Sequence, residues 1–167
     1  MPAQEGNIQV QGSEFHRVHP EHIDVLLSNG KVYAAKIIST AKPDIALIKI
    51  NTGYPLRAIT LGDSSLAKIG NPVLAVANAR LNPQRMKSGN IIQVYAENST
   101  QAVTILEMDI PLKEGDSGGP ILNEQGLLLG LIMANKLSDH SKSFAIASNK
   151  IQEEYFKYKN VTLVSKL

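Results

Sequence analysis

Short apolar segments separated by turn signals run through residues 23–147, and a single helical pattern comes after them. That order limits the fold more than any other property of the chain. Ile23, Val25 and Leu27 alternate with Asp24, Leu26 and Ser28, and Asn29-Gly30 then gives the strongest short-range hairpin signal before residues 32–38 return. Residues 45–50 read as a short apolar strand after Lys42-Pro43-Asp44, and another is expected near Ala58, beyond the turn Thr52-Gly53-Tyr54-Pro55. Residues 73–77 read as a fully buried strand. Residues 78–87, with Asn, Pro, Gln and several basic side chains, read as a loop between lobes or beside an active site. Further strands are expected at 91–95, 102–108, 121–122, 127–133 and 143–147, and 136–142 is a polar loop. Ser148 is read as an N-cap, with Ile151, Tyr155 and Tyr158 at helical spacing behind it. The succession predicts an all-β barrel protein with a C-terminal helix over about 148–158.

A chain of 167 residues suits one domain or two small lobes and buries roughly 70% of its unfolded surface without a metal or a disulfide. The net charge of +2 comes from interspersed Lys, Arg, Asp and Glu, so no basic stripe argues for nucleic acid. The chain has no Cys, which excludes disulfides and thiolate metal sites. No apolar run approaches the roughly 20 residues of a membrane span, and no signal peptide opens the sequence. No cofactor is expected.

Gly115-Asp116-Ser117-Gly118-Gly119-Pro120 is the run richest in chemical information. Its glycines permit a sharp turn that presents a hydroxyl and neighbouring amides in one direction. By propensity alone the same residues make a Gly-rich β-turn. As a site, Ser117 is the nucleophile, and the N–H groups of Gly115 and Ser117 form an oxyanion hole. An unassisted hydroxyl is a poor nucleophile and needs a base oriented by an acid. Of four histidines, His140 comes after the Ser, while His16, His19 and His22 precede the first hairpin. Asp44, at the start of an apolar strand, is expected to be partly buried and able to hold an imidazole tautomer. Asp63 and Asp109 are weaker candidates in turn-like or strand-end positions. The His16, His19, His22 spacing admits a metal site, but on a polar segment these side chains read better as solvated.

The nucleophile run resembles that of the chymotrypsin-like serine proteases, and Asp44-Ile45-Ala46-Leu47-Ile48-Lys49-Ile50 resembles the acid-bearing strand of their HtrA/Deg branch. Further landmarks of that branch occur in order: Leu61-Gly62-Asp63-Ser64-Ser65, Gly70-Asn71-Pro72-Val73-Leu74-Ala75-Val76, Ser88-Gly89-Asn90-Ile91 and Phe144-Ala145-Ile146-Ala147-Ser148-Asn149. The resemblance implies two six-stranded barrels, over about 16–82 and 83–147, in a trypsin-like domain of residues 16–167. It also implies a Ser-His-Asp endopeptidase with the order His, Asp, Ser, so that Ser117 is the nucleophile and Asp44 the orienting acid. His16 is the candidate base, with His19 as a second choice and no functional His as a third. Pocket walls would come from 110–114, 132–135 and the region of Phe144, with Pro111, Ile132 and Ala134 beside the substrate. Pro111 stands where a trypsin-like enzyme carries an acid, so a small or medium apolar P1 residue is expected rather than a basic one.

Met1 to Phe15 differs in character from the rest of the chain: Gly12-Ser13-Glu14-Phe15 reads as a cloning remnant, and residues 7–11 alternatively as a natural strand. If these residues are foreign, the first barrel lacks strands and keeps a raw edge. The partner implied is a protein or peptide substrate, with homo-oligomerisation left open and an extracytoplasmic location favoured by the resemblance. The alternative is an inactive protease-fold module that binds extended peptides without cutting them.

Overall fold

The computed structural model describes residues 23–41, 44–77, 85–100, 102–113, 115–136 and 139–164. Strands β1 (Ile23–Leu26), β2 (Val32–Ala41) and β3 (Ile45–Ile50) form an antiparallel sheet in the order β1-β2-β3. The Asn29-Gly30 turn joins the first two: Gly30 adopts φ 78°, and its N–H donates to the Leu27 carbonyl at 2.9 Å. A bulge between Ile37 and Ser39 shifts the register against β3.

A second sheet closes on itself. Strands β4 (Pro72–Ala77), β5 (Arg85–Ala96), β6 (Val103–Met108), β7 (Pro120–Leu122), β8 (Leu128–Lys136) and β9 (Asp139–Ala147) make a barrel in the order β4-β5-β6-β9-β8-β7. Closure abolishes sheet edges and lets one side-chain set from every strand point inward. Val73, Ala75, Ile91, Leu106, Met108 and Ile121 fill that interior and are almost wholly buried. No described side chain of β1, β2 or β3 is buried to that degree, and Leu26 is 60% exposed and Ile48 41%. The hydrophobic core of the described molecule is therefore that of the C-terminal barrel, while β1–β3 remain an open sheet.

Helix α1 (Ser148–Val164) outlasts its expected end near 158. Ser148 is its first helical residue, and its buried hydroxyl does not sit free at a cap but donates to the Gly62 carbonyl at 2.7 Å. Asn149 completes the junction: its side-chain oxygen accepts from the Ser64 N–H, and its amide nitrogen donates to Asp63 at 2.7 Å. The landmarks Gly62-Asp63-Ser64 and Ser148-Asn149, far apart in sequence, are one hydrogen-bonded clamp. The strand expected near Ala58 is absent from the described residues. An isolated bridge from Leu61 to Leu128 takes its place. Residues 73–76 alternate between buried and half-buried instead of being wholly enclosed, and β8 and β9 extend into the expected 136–142 loop, pairing Lys136 with Asp139.

Among the described residues, the barrel wall buries a carboxylate. Glu107 is 4% exposed and accepts a hydrogen bond of 2.6 Å from the Tyr95 phenol, whose ring packs at a tilt on Phe144. That hydrogen bond, then burial, pushes the Tyr95 hydroxyl up to about 12. A folded-state value raised above the unfolded one contributes stability that is present below roughly pH 10 and lost as pH climbs towards 12. Urea unfolding between pH 9 and 12 should therefore show a steeper loss for the wild type than for Tyr95→Phe. Parallel curves would refute the coupling.

Candidate active site

Ser117 lies exposed on a loop that the barrel holds from both sides. The Gly118 N–H donates to the Ile132 carbonyl at 2.8 Å, and the Ile132 N–H returns to the Gly119 carbonyl at 2.9 Å, so the loop is laddered onto β8. The Ser117 hydroxyl donates to the Met133 carbonyl at 3.3 Å. Gly115 and Gly118 adopt φ of 93° and 83°, conformations that a side chain would strain. Between them Asp116 turns inward and is 3% exposed. Its N–H donates to the Lys113 carbonyl, its carbonyl accepts from Gly119, and its carboxylate accepts from the Lys113 N–H at 2.8 Å. Among the described residues, the amides of Gly115 and Ser117 donate to no protein acceptor. Two amides flanking an exposed hydroxyl are what an oxyanion hole needs.

Asp44 occupies the turn ahead of β3 and is exposed, where the sequence suggests a partly buried carboxylate. It precedes the strand proper, in a sheet that buries none of its described side chains. Asp44 leads into the β1–β3 sheet and the Ser117 loop into the barrel. His16, His19 and His22 lie outside the described residues, so the base and the metal alternative are not addressed by geometry. Among the described residues, no cluster of His, Cys, Asp or Glu is arranged to hold a metal ion. Asp63 and Asp109 have structural work. Asp63 accepts from Ser65 and Asn149, and these hydrogen bonds, the Ser65 hydroxyl's first, hold its carboxyl below the usual range. Asp109 accepts from the Asn90 backbone and side chain.

In the pocket region Pro111 is exposed, and Ile132 divides its roles. Its backbone pairs with the Ser117 loop, whereas its side chain packs in the barrel core. Ala134 comes after a bulge between β8 and β9, and nothing is described of its side chain. Two contributors were not singled out from sequence: the Met133 carbonyl, which receives the Ser117 hydroxyl, and Lys87, whose ammonium donates to the Pro111 carbonyl at 2.6 Å and lies 3.6 Å from Asp116. The only sequence signal for Lys87 was its place in a basic, weakly patterned stretch.

A closed six-stranded barrel carrying a Gly-Asp-Ser-Gly-Gly loop on β8 is the arrangement of a trypsin-like peptidase lobe, and the sequence model of the trypsin-like peptidase domain matches residues 4–131. The chain belongs to that family. The relatives it resembles are serine proteases of the HtrA/DegP type. It is 28% identical over 141 residues to the serine protease Do-like HtrB of Bacillus subtilis, covering 78% of this chain and 31% of that protein. It is 30% identical over 136 residues to the periplasmic serine endoprotease DegP of Salmonella typhimurium, covering 78% of this chain and 29% of that one. A solved structure of the HtrA-type protease AlgW with a decapeptide superimposes with a TM-score of 0.72 at 25% identity, over 84% of this chain and 45% of that one. The chain thus spans about a third or less of the curated relatives named.

Proposed function

We propose that this domain is a serine endopeptidase in which Ser117 attacks the scissile carbonyl, His16 takes the hydroxyl proton and passes it to the leaving amine, and Asp44 orients the imidazole. The Gly115 and Ser117 amides stabilise the oxyanion, and water then hydrolyses the acyl-enzyme with His16 as base. The observation that carries the reading is the Ser117 loop: an exposed hydroxyl flanked by two amides that donate to no acceptor among the described residues, on a turn laddered to the barrel. The match of the trypsin-like domain over most of the chain supports the chemistry.

The substrate side of the proposal is an extended peptide with a small or medium apolar residue at P1. Pro111 and the neighbouring β8 backbone offer no carboxylate to a basic side chain. DegP relatives are named periplasmic, and on that ground we assign this chain to an extracytoplasmic compartment. No helix among the described residues is long and apolar enough to cross a membrane.

A second reading, peptide capture without cleavage, is favoured by one observation: among the described residues β1–β3 form a sheet with unpaired edges, and an unpaired strand edge recruits extended peptides by strand addition. A randomised peptide library separates the two. Cleavage after small or medium apolar residues is expected. Cleavage mainly after Lys or Arg would overturn the pocket assignment, and retention of intact peptides without products would replace catalysis by binding.

A further inference from the structure

Lys87 sits on β5, away from the nucleophile loop in sequence, yet its ammonium reaches both ends of the segment leading into Ser117. At one end it donates to the Pro111 carbonyl at 2.6 Å; at the other it lies 3.6 Å from the Asp116 carboxylate oxygen that also accepts from the Lys113 N–H. The Asp116 side chain is 2% exposed and that of Lys87 24%. An exposed ion pair contributes little. Here one partner is almost wholly desolvated, and a buried carboxylate that loses its cation is strongly destabilised where it stands. The Asp116 backbone separates the two oxyanion amides, so whatever fixes its carboxylate also fixes the peptide planes that carry the N–H groups of Gly115 and Ser117.

We infer that Lys87 is a positioning residue: an internal cation that holds Asp116 and the Pro111 carbonyl, and thereby sets the oxyanion amides and the pocket rim in their working geometry. It touches no reacting atom. The cation comes from within the same barrel, from β5. The inference rests on the reading of Ser117 as nucleophile.

The absence of Cys from the chain permits a clean test, because Lys87→Cys introduces a single thiol. Alkylation with 2-bromoethylamine restores an ammonium at nearly the length of lysine, whereas iodoacetamide leaves a neutral amide. The readout is the rate at which a fluorophosphonate labels Ser117, with thermal unfolding of each form measured alongside. The neutral form should label at least about tenfold more slowly than wild type, within the roughly 10²- to 10³-fold that one oxyanion donor supplies. The aminoethyl form should recover most of that loss. Should the thiol variant not fold, Lys87→Arg against Lys87→Gln repeats the comparison of charge kept with charge lost. A neutral form that labels at the wild-type rate overturns the inference alone, as does a folded aminoethyl form that recovers nothing. Wild-type protein that takes no label overturns the nucleophile reading, and this inference with it.

Discussion

Ser117→Ala should reduce peptide hydrolysis by about 10⁶-fold while leaving the fold intact, the size of loss expected on removal of a triad nucleophile. The side chain is exposed, and its hydroxyl makes a single long hydrogen bond to the Met133 carbonyl, so the barrel loses almost nothing with it. The chemistry loses its covalent route. What survives is the contribution of the oxyanion amides and of substrate binding, roughly 10³- to 10⁴-fold over water. Initial rates on a peptide drawn from the cleaved library, with unfolding curves for both proteins, would check this. Hydrolysis that persists in the folded variant would place the nucleophile elsewhere.

Gly119→Ala should be the most damaging conservative change to the fold. A methyl group there would lie 2.5 Å from the Val76 carbonyl oxygen and 3.0 Å from that of Asp116. Both are backbone atoms. Val76 belongs to β4, which pairs with β7 directly after Gly119, so relief requires the barrel seam to part or the Ser117 loop to lift. Overpacking of a closed site costs typically 1–3 kcal/mol and more where backbone must move, so about 3 kcal/mol or outright failure to fold is expected. Gly126→Ala is the control. Gly126 adopts φ 75° with nothing near its missing side chain, so only backbone strain of about 1–2 kcal/mol applies. Urea unfolding of the two variants decides it: equal losses would mean that the seam at Gly119 is not closed as described.

The parts of this molecule that were legible from sequence are those set by local chemistry. Asn29-Gly30 specifies its hairpin because the left-handed conformation at Gly30 is a property of the dipeptide. The run from Gly115 to Pro120 specifies its turn for the same reason. Pairings between distant segments were not legible. Asp63 looked like a candidate acid until Asn149, at the start of α1, was seen to occupy it. Lys87 could not be matched to Asp116 without the barrel that brings β5 against the Ser117 loop. The place of Ile132 depends on β8's pairing: its side chain packs in the barrel core and lies beside Gly119 of the nucleophile loop. Asp44 is exposed for a related reason: it stands in the turn ahead of β3, and none of the described side chains of β1–β3 is fully buried.

Reaction of the protein with a fluorophosphonate, followed by mass spectrometric mapping of the adduct, probes the nucleophile, its base and the oxyanion hole together, because such a probe bonds efficiently only to a hydroxyl activated by a base and faced by an oxyanion hole. One adduct per chain is expected, on Ser117, and it should disappear in Ser117→Ala and fall sharply in His16→Ala and Asp44→Ala. A folded protein that takes no adduct, or takes it on a residue other than Ser117, would contradict the reading of Ser117 as nucleophile.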